Sequence, residues 1–129
     1  MSIEINESGD RFWKNEAGEF HREDGPALEC SNGYKAWYIN GFRHREDGPA
    51  REWNDGYKEW YINGELHRED GPAVEDIDGR KYWSINGKLH REDGPAFEDF
   101  DGDREWWING IEYTEEQFKE KIKELRRVY

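Results

Sequence analysis

The tetrad His-Arg-Glu-Asp stands four times in this chain, at residues 21–24, 44–47, 67–70 and 90–93, and each copy continues into Gly-Pro-Ala. An imidazole beside two carboxylates and a guanidinium could serve acid–base chemistry or hold a divalent cation. Two arguments turn these readings down. In an extended segment side chains alternate, so His21 and Glu23 share one face and Arg22 and Asp24 the other. A metal site needs three or more converging ligands, and a catalytic centre is singular, whereas this group recurs unchanged every 23 residues. An ion-pair and turn-capping network is therefore expected, with no catalytic residue, no metal and no cofactor. The stretches Glu75-Asp76-Ile77-Asp78-Gly79 and Glu98-Asp99-Phe100-Asp101-Gly102 resemble fragments of calcium loops but lack the spacing and terminal Glu of an EF-hand. Turn chemistry explains them better. Cys30 is the single cysteine and its register holds Trp53, Asp76 and Asp99 in later repeats, which argues against a nucleophile.

The elements that carry these groups follow from the repeat. Trp37, Trp60, Trp83 and Trp106 share one register, and an Ile follows two residues later, each time before Asn-Gly. Asn-Gly between alternating segments is the strongest short hairpin signal, because a type I′ turn needs positive φ at both central residues. A second glycine, at Gly33, Gly56, Gly79 and Gly102, predicts a three-residue loop, and Asp-Gly-Pro a third turn. Strands of about five or six residues should lie between turns. In that register Glu29 faces Lys35 and Ala27 faces Trp37, with the same pairs in every repeat: Glu52–Lys58, Glu75–Lys81, Glu98–Arg104, and Ala50–Trp60, Ala73–Trp83, Ala96–Trp106. The Asn-Gly turn sets Trp37 opposite His44.

Alternation then separates two faces. One holds the registers that hardly vary, including His44, His67 and His90 with Trp37, Trp60, Trp83 and Trp106, and is expected to be the structural, stacking side. The other varies: Tyr34, Tyr57, Arg80 and Asp103; Ala36, Glu59, Tyr82 and Glu105; Tyr38, Tyr61, Ser84 and Trp107. The predicted fold is mainly β, an antiparallel meander or solenoid-like repeat array with one C-terminal capping α-helix. The units are a degenerate N-terminal half-repeat (1–20), four repeats (21–43, 44–66, 67–89, 90–112) and a cap (113–129). Thr114-Glu115-Glu116-Gln117 is a capping-box pattern, and Phe118, Ile122, Leu125 and Tyr129 follow at helical spacing, predicting a helix over about 114–127.

The string W-Y-I-N-G-x-x-H-R-E-D-G-P-A resembles a variant of the MORN repeat found in proteins of tailed phages and large DNA viruses, over roughly residues 9–112. Ordinary MORN units place Gly after the His, where this chain has Arg22, Arg45, Arg68 and Arg91. The resemblance implies a β-meander scaffold with interaction roles and carries no catalytic residue across. It also implies a setting: a small phage-type inhibitor of a host protein, such as a bacterial defence protein, in the host cytoplasm.

Composition is consistent with binding rather than catalysis. The 129 residues carry 31 acids against 19 bases, a net charge of −12, with a hydrophobic fraction of 33% but an aromatic fraction of 16%. So polar a chain suggests disorder, and so many rings argue for a thin core. The acidity disfavours direct binding to nucleic acid or anionic lipid, and no apolar run could span a membrane. The N-terminus lacks the pattern of a signal peptide, so a cytoplasmic protein is expected. The expected partner is a protein with a basic surface, contacted through Tyr34, Tyr38, Tyr57, Tyr61, Tyr82 and Trp107 together with Glu59 and Glu105, since Tyr and Trp dominate interface hot spots. Two alternatives stand beside it: a nucleic-acid mimic occupying a basic cleft, and a repeat protein binding a metal or small ligand. An uncovered N-terminal sheet edge would also admit a second copy of the chain.

Overall fold

The computed structural model describes residues 2–127; Tyr129, the last of the helix's apolar positions, lies outside them. β1 (Ser2–Ile5) and β2 (Arg11–Lys14) form the first hairpin. Each repeat then supplies two hairpins in succession. The first repeat has β3 (Leu28–Glu29) with β4 (Lys35–Ala36), then β5 (Tyr38–Ile39) with β6 (Phe42–Arg43). The second has β7 (Arg51–Glu52) with β8 (Lys58–Glu59), then β9 (Tyr61–Ile62) with β10 (Glu65–Leu66). The third has β11 (Val74–Glu75) with β12 (Lys81–Tyr82), then β13 (Ser84–Ile85) with β14 (Lys88–Leu89). The last contains β15 (Phe97–Glu98), β16 (Arg104–Ile108) and β17 (Ile111–Tyr113), followed by α1 (Glu115–Arg126). The first hairpin of each repeat joins an eleven-stranded antiparallel sheet, ordered β1-β2-β3-β4-β7-β8-β11-β12-β15-β16-β17. The others form two-stranded units beside it, so the array is mainly β and meander-like with a single C-terminal helix.

The turns match the sequence. Asn40, Asn63, Asn86 and Asn109 have φ of 46–51°, and each is followed by a glycine with positive φ, as a type I′ turn requires. Glu29–Lys35, Glu52–Lys58, Glu75–Lys81 and Glu98–Arg104 pair as expected. The pairing continues between repeats, so one row crosses the sheet as Arg11–Glu29–Lys35–Glu52–Lys58–Glu75–Lys81–Glu98–Arg104. Opposite charges alternate throughout, each pair a favourable cross-strand neighbour.

The strands are shorter than expected, mostly two residues, and the cause is the tryptophan. Trp37 donates its N–H to Ala50 O of the following repeat (2.7 Å), while its carbonyl accepts from the N–H of His44 (3.1 Å). Its two backbone groups thus serve two different ladders, and the strand breaks between them. Trp13, Trp60 and Trp83 do the same with Ala27, Ala73 and Ala96. This bond to the next repeat lies on the β7 side of the strand, while on the β3 side the register is the expected one, Leu28 with Ala36 and Glu29 with Lys35. In the final repeat no further alanine carbonyl follows, and β16 runs unbroken through Trp106, which pairs with Tyr113.

Each histidine locks one repeat to the next. Nδ1 of His21, His44, His67 and His90 accepts the backbone N–H of Asn40, Asn63, Asn86 and Asn109 respectively, at 2.9–3.0 Å. That bond leaves the ring proton on Nε2 in the neutral form. The glycine after each Asn adds a backbone bond to the preceding unit, as in Gly64 N–H to Arg43 O.

The core is thin. Ala27, Ala36, Ala50, Ala73 and Ala96 are fully buried, and no large side chain among the described residues is. At one end β1 is an open edge with Ile3 and Ile5 exposed. At the other, Phe118 and Ile122 of α1 cover Ile108, with Trp106 and Tyr113 packed alongside. Thr114 caps the helix with both halves of the expected capping box.

Candidate functional site

The His-Arg-Glu-Asp-Gly-Pro segment is a bend rather than a strand, which frees its arginine to fold inward. Arg68 Nε donates to Asp70 (3.0 Å), while Nη1 donates to the Pro72 carbonyl (3.0 Å) and to Glu75 (3.2 Å). Its guanidinium lies 3.9 Å from the Trp60 ring centroid. Arg22, Arg45 and Arg91 repeat the stack on Trp13, Trp37 and Trp83 at 3.8–4.0 Å. The glycine of each loop leaves room for this close approach, since a Cβ at Gly71 would sit 2.9 Å from the guanidinium carbon and the stack would have to shift. The Arg91 hydrogen bond holds the Asp93 carboxyl below the usual carboxylate range.

The expected pairing within the tetrad is present: His with Glu on one side and Arg with Asp on the other. His Nε2 approaches Glu23, Glu69 and Glu92 at 3.8, 3.9 and 3.1 Å, and these glutamates point outward. The expectation that the uniform registers form a closed stacking core is corrected. Trp37, Trp60 and Trp83 are only half-buried, and with the histidines they line three open clefts. One cleft lies between the loops of Arg22 and Arg45, the next between those of Arg45 and Arg68, the third between those of Arg68 and Arg91. Their volumes are about 700, 710 and 730 Å³. Each has a Trp and an Ile, a His, two arginines turned inward, and four carboxylates from two consecutive loops. The uniform alanines are fully buried, while the uniform tryptophans and histidines of the inner repeats wall a groove.

The chain matches no family model, no curated protein and no solved structure. The likeness to MORN repeats therefore rests on the repeat string itself.

Six of the eight residues expected to meet a partner hydrogen-bond to one another or to Arg51, and Tyr38 and Tyr82 pack on neighbouring rings. Tyr57 and Tyr61 both donate to Glu59 at 3.0 Å, and Arg51 donates to Glu59 (3.0 Å) and to the Tyr34 hydroxyl (2.8 Å). Trp53 stands between Tyr34 and Tyr57, 4.9 Å from each ring, with the Arg51 guanidinium 4.5 Å from it. Further along, Tyr82 packs on Phe97, Tyr38 on Phe20, and Trp107 Nε1 donates to Glu105 (2.9 Å). All eight are half-buried. Arg51 and Trp53 organise this network, and the sequence reading did not single them out. The available signal was Arg51 itself, a lone cation in a register otherwise filled by Leu28, Val74 and Phe97.

Tyr57 is pushed up to about 12, first by burial and then by its bond to the Glu59 carboxylate. Burial and Glu59 also raise Tyr61. Against an ordinary phenol value of 10, the folded state holds the Tyr57 proton more tightly than the unfolded chain. The contribution is full below pH 10 and is lost as pH rises toward 12. Ultraviolet titration of the tyrosines should show a component with its midpoint near pH 12, and Glu59→Gln should draw it back toward the others. A single wave at the ordinary value would refute the network.

Two other groups fall short of a site. Asp99, Asp101 and Asp103 bring carboxylate oxygens within 4.8 Å of one another, yet Asp99 already accepts from the Phe100 N–H and pairs with Arg80, and Asp101 accepts from the Asp103 N–H. Turn chemistry uses these oxygens. Burial, with Asp10 nearby, pushes the Cys30 thiol up, away from thiolate chemistry.

Proposed function

We propose that this protein is a non-enzymatic protein-binding repeat scaffold that receives its partner along the cleft-bearing face. The supporting observation is the recurrence of three clefts with the same lining at equivalent registers. Equivalent open sites in a row suit an extended partner surface, whereas catalysis would need one distinct constellation. Tyr34, Tyr57, Tyr61 and Trp107 are engaged in hydrogen bonds within the protein, which favours the clefts as the contact surface. Mimicry of nucleic acid is weakened by the alternating row across the sheet, where Lys and Arg neutralise the glutamates between them. The resemblance supplies the cellular setting, a small inhibitor of a host protein.

Capture from a bacterial lysate on immobilised protein tests both. The wild type should retain a specific protein that a charge-matched control does not. Glu46→Lys with Glu69→Lys should lose it at least tenfold, Trp107→Ala should keep it, and DNA should not compete. Equal retention by the Lys variant would remove the clefts from the reading.

A further inference from the structure

The charge in each cleft does not balance. Both arginines are turned onto tryptophan and tied by hydrogen bonds, as with Arg68 on Trp60. Each loop then has one acid in excess, and the glutamate is the one without an arginine partner: Glu23, Glu46, Glu69 and Glu92 are exposed, with at most a histidine beside them. Trp83 and Ile85 line the cleft as its apolar side chains, with the Arg91 guanidinium stacked on the indole. An acidic mouth over an indole and an aliphatic side chain is complementary to a long cationic side chain, its methylene stem along those apolar groups and its head between the carboxylates.

The spacing selects the backbone that presents such side chains. Each repeat adds two strands to the long sheet, so equivalent clefts recur every ~9.6 Å. A polyproline II chain rises ~3.1 Å per residue with three residues per turn, which puts every third side chain on one face at about 9.3 Å intervals. A flat β-strand turns every third residue to the opposite face.

We infer that the three clefts bind a basic segment in polyproline II conformation, with Arg or Lys at every third residue, one side chain per cleft. This rests on the scaffold reading and names the chemistry of the partner.

The test uses the intact protein and three fluorescein-labelled peptides of equal composition, with three Arg among prolines spaced every third residue, every second residue or contiguously. Fluorescence polarisation at moderate salt should give the third-residue peptide at least tenfold tighter binding than either control. Replacing Glu23, Glu46, Glu69 and Glu92 together by Gln should abolish that preference. Equal binding of the three peptides by the wild type would overturn the inference, and this arm needs no variant to fold. An undiminished preference in the Gln protein would overturn it as well. Spacing-blind peptides would leave the scaffold reading standing. That reading fails separately, if the captured protein ignores the cleft substitutions.

Discussion

Arg68→Ala is expected to lower the unfolding free energy by about 2–3 kcal/mol, from the loss of a cation–π contact worth ~0.5–2 and of charge-assisted hydrogen bonds worth ~1.5–3, discounted for partial exposure. The side chain is about one-fifth exposed, and it joins parts of the chain that nothing else connects so directly. It covers Trp60 from the preceding hairpin, fixes the loop through Asp70 and the Pro72 carbonyl, and reaches Glu75 in the sheet. Removing it uncovers the indole and leaves Glu75 without its guanidinium. Arg68→Lys should recover less than half of the loss, since an ammonium neither stacks flat nor presents a fork of donors. Asp70→Asn should cost no more than ~0.5 kcal/mol, because that carboxylate is almost wholly solvated. Urea unfolding followed by tryptophan fluorescence measures all three. A loss below ~0.5 kcal/mol for Arg68→Ala would mean the stack is incidental, since exposed pairs are worth no more.

Local chemistry made much of the fold legible. Asn-Gly allows few backbone solutions, and Asn40, Asn63, Asn86 and Asn109 adopt the expected one. Glu and Lys on opposite sides of a short loop announce their pairing, and the helix announces itself through Thr114 and Gln117. What stayed hidden depends on a neighbour 13 residues away or more. The sequence places Trp37 opposite Ala27 by simple alternation. On the other edge of its strand the Trp37 N–H goes to Ala50, a choice that exists only once the second repeat is stacked. The break in each strand follows from that choice.

The site was legible in composition but not in placement. Identical registers in every copy invite the inference that they are buried, and among the described residues only the alanines are buried in every copy. Trp37, Trp60 and Trp83 and the histidines beside them repeat just as faithfully, yet they wall clefts, and what covers each indole is an arginine from the adjacent loop. Conversely, the variable registers carry the rings and the Arg51–Glu59 pair that pack on each other. Variation there reflects several ways of filling space. The inward turn of each arginine depends on the adjacent Gly and Pro shaping a bend, where strand alternation does not apply.

Phe118→Ala should have the largest effect of any single substitution at the C-terminal end, about 3 kcal/mol or more by the usual cost of truncating a buried ring. The buried side chains of α1 are Phe118 and Ile122, and their platform is Ile108 with Trp106 and Tyr113. A helix of 12 residues is marginal without such packing, so losing Phe118 should release it as a unit. Release matters because Trp106 is the one repeat tryptophan that no His-Arg-Glu-Asp loop follows, and it packs against the helix cluster instead of an arginine from such a loop. Circular dichroism should therefore show the helical signal melting below the sheet transition in the variant, with a hydrophobic dye binding as Trp106 becomes uncovered. Leu125→Ala, on the exposed side of the same helix, should change neither. If the helix and sheet still melted together in Phe118→Ala, with less than ~1 kcal/mol lost, the cap would be held by its capping box and ion pairs, and the packing on Ile108 would be secondary. The burial contrast between Phe118 and those exposed pairs argues for the first outcome, because pairs such as Lys119–Glu115 are worth only ~0.3–0.5 kcal/mol each.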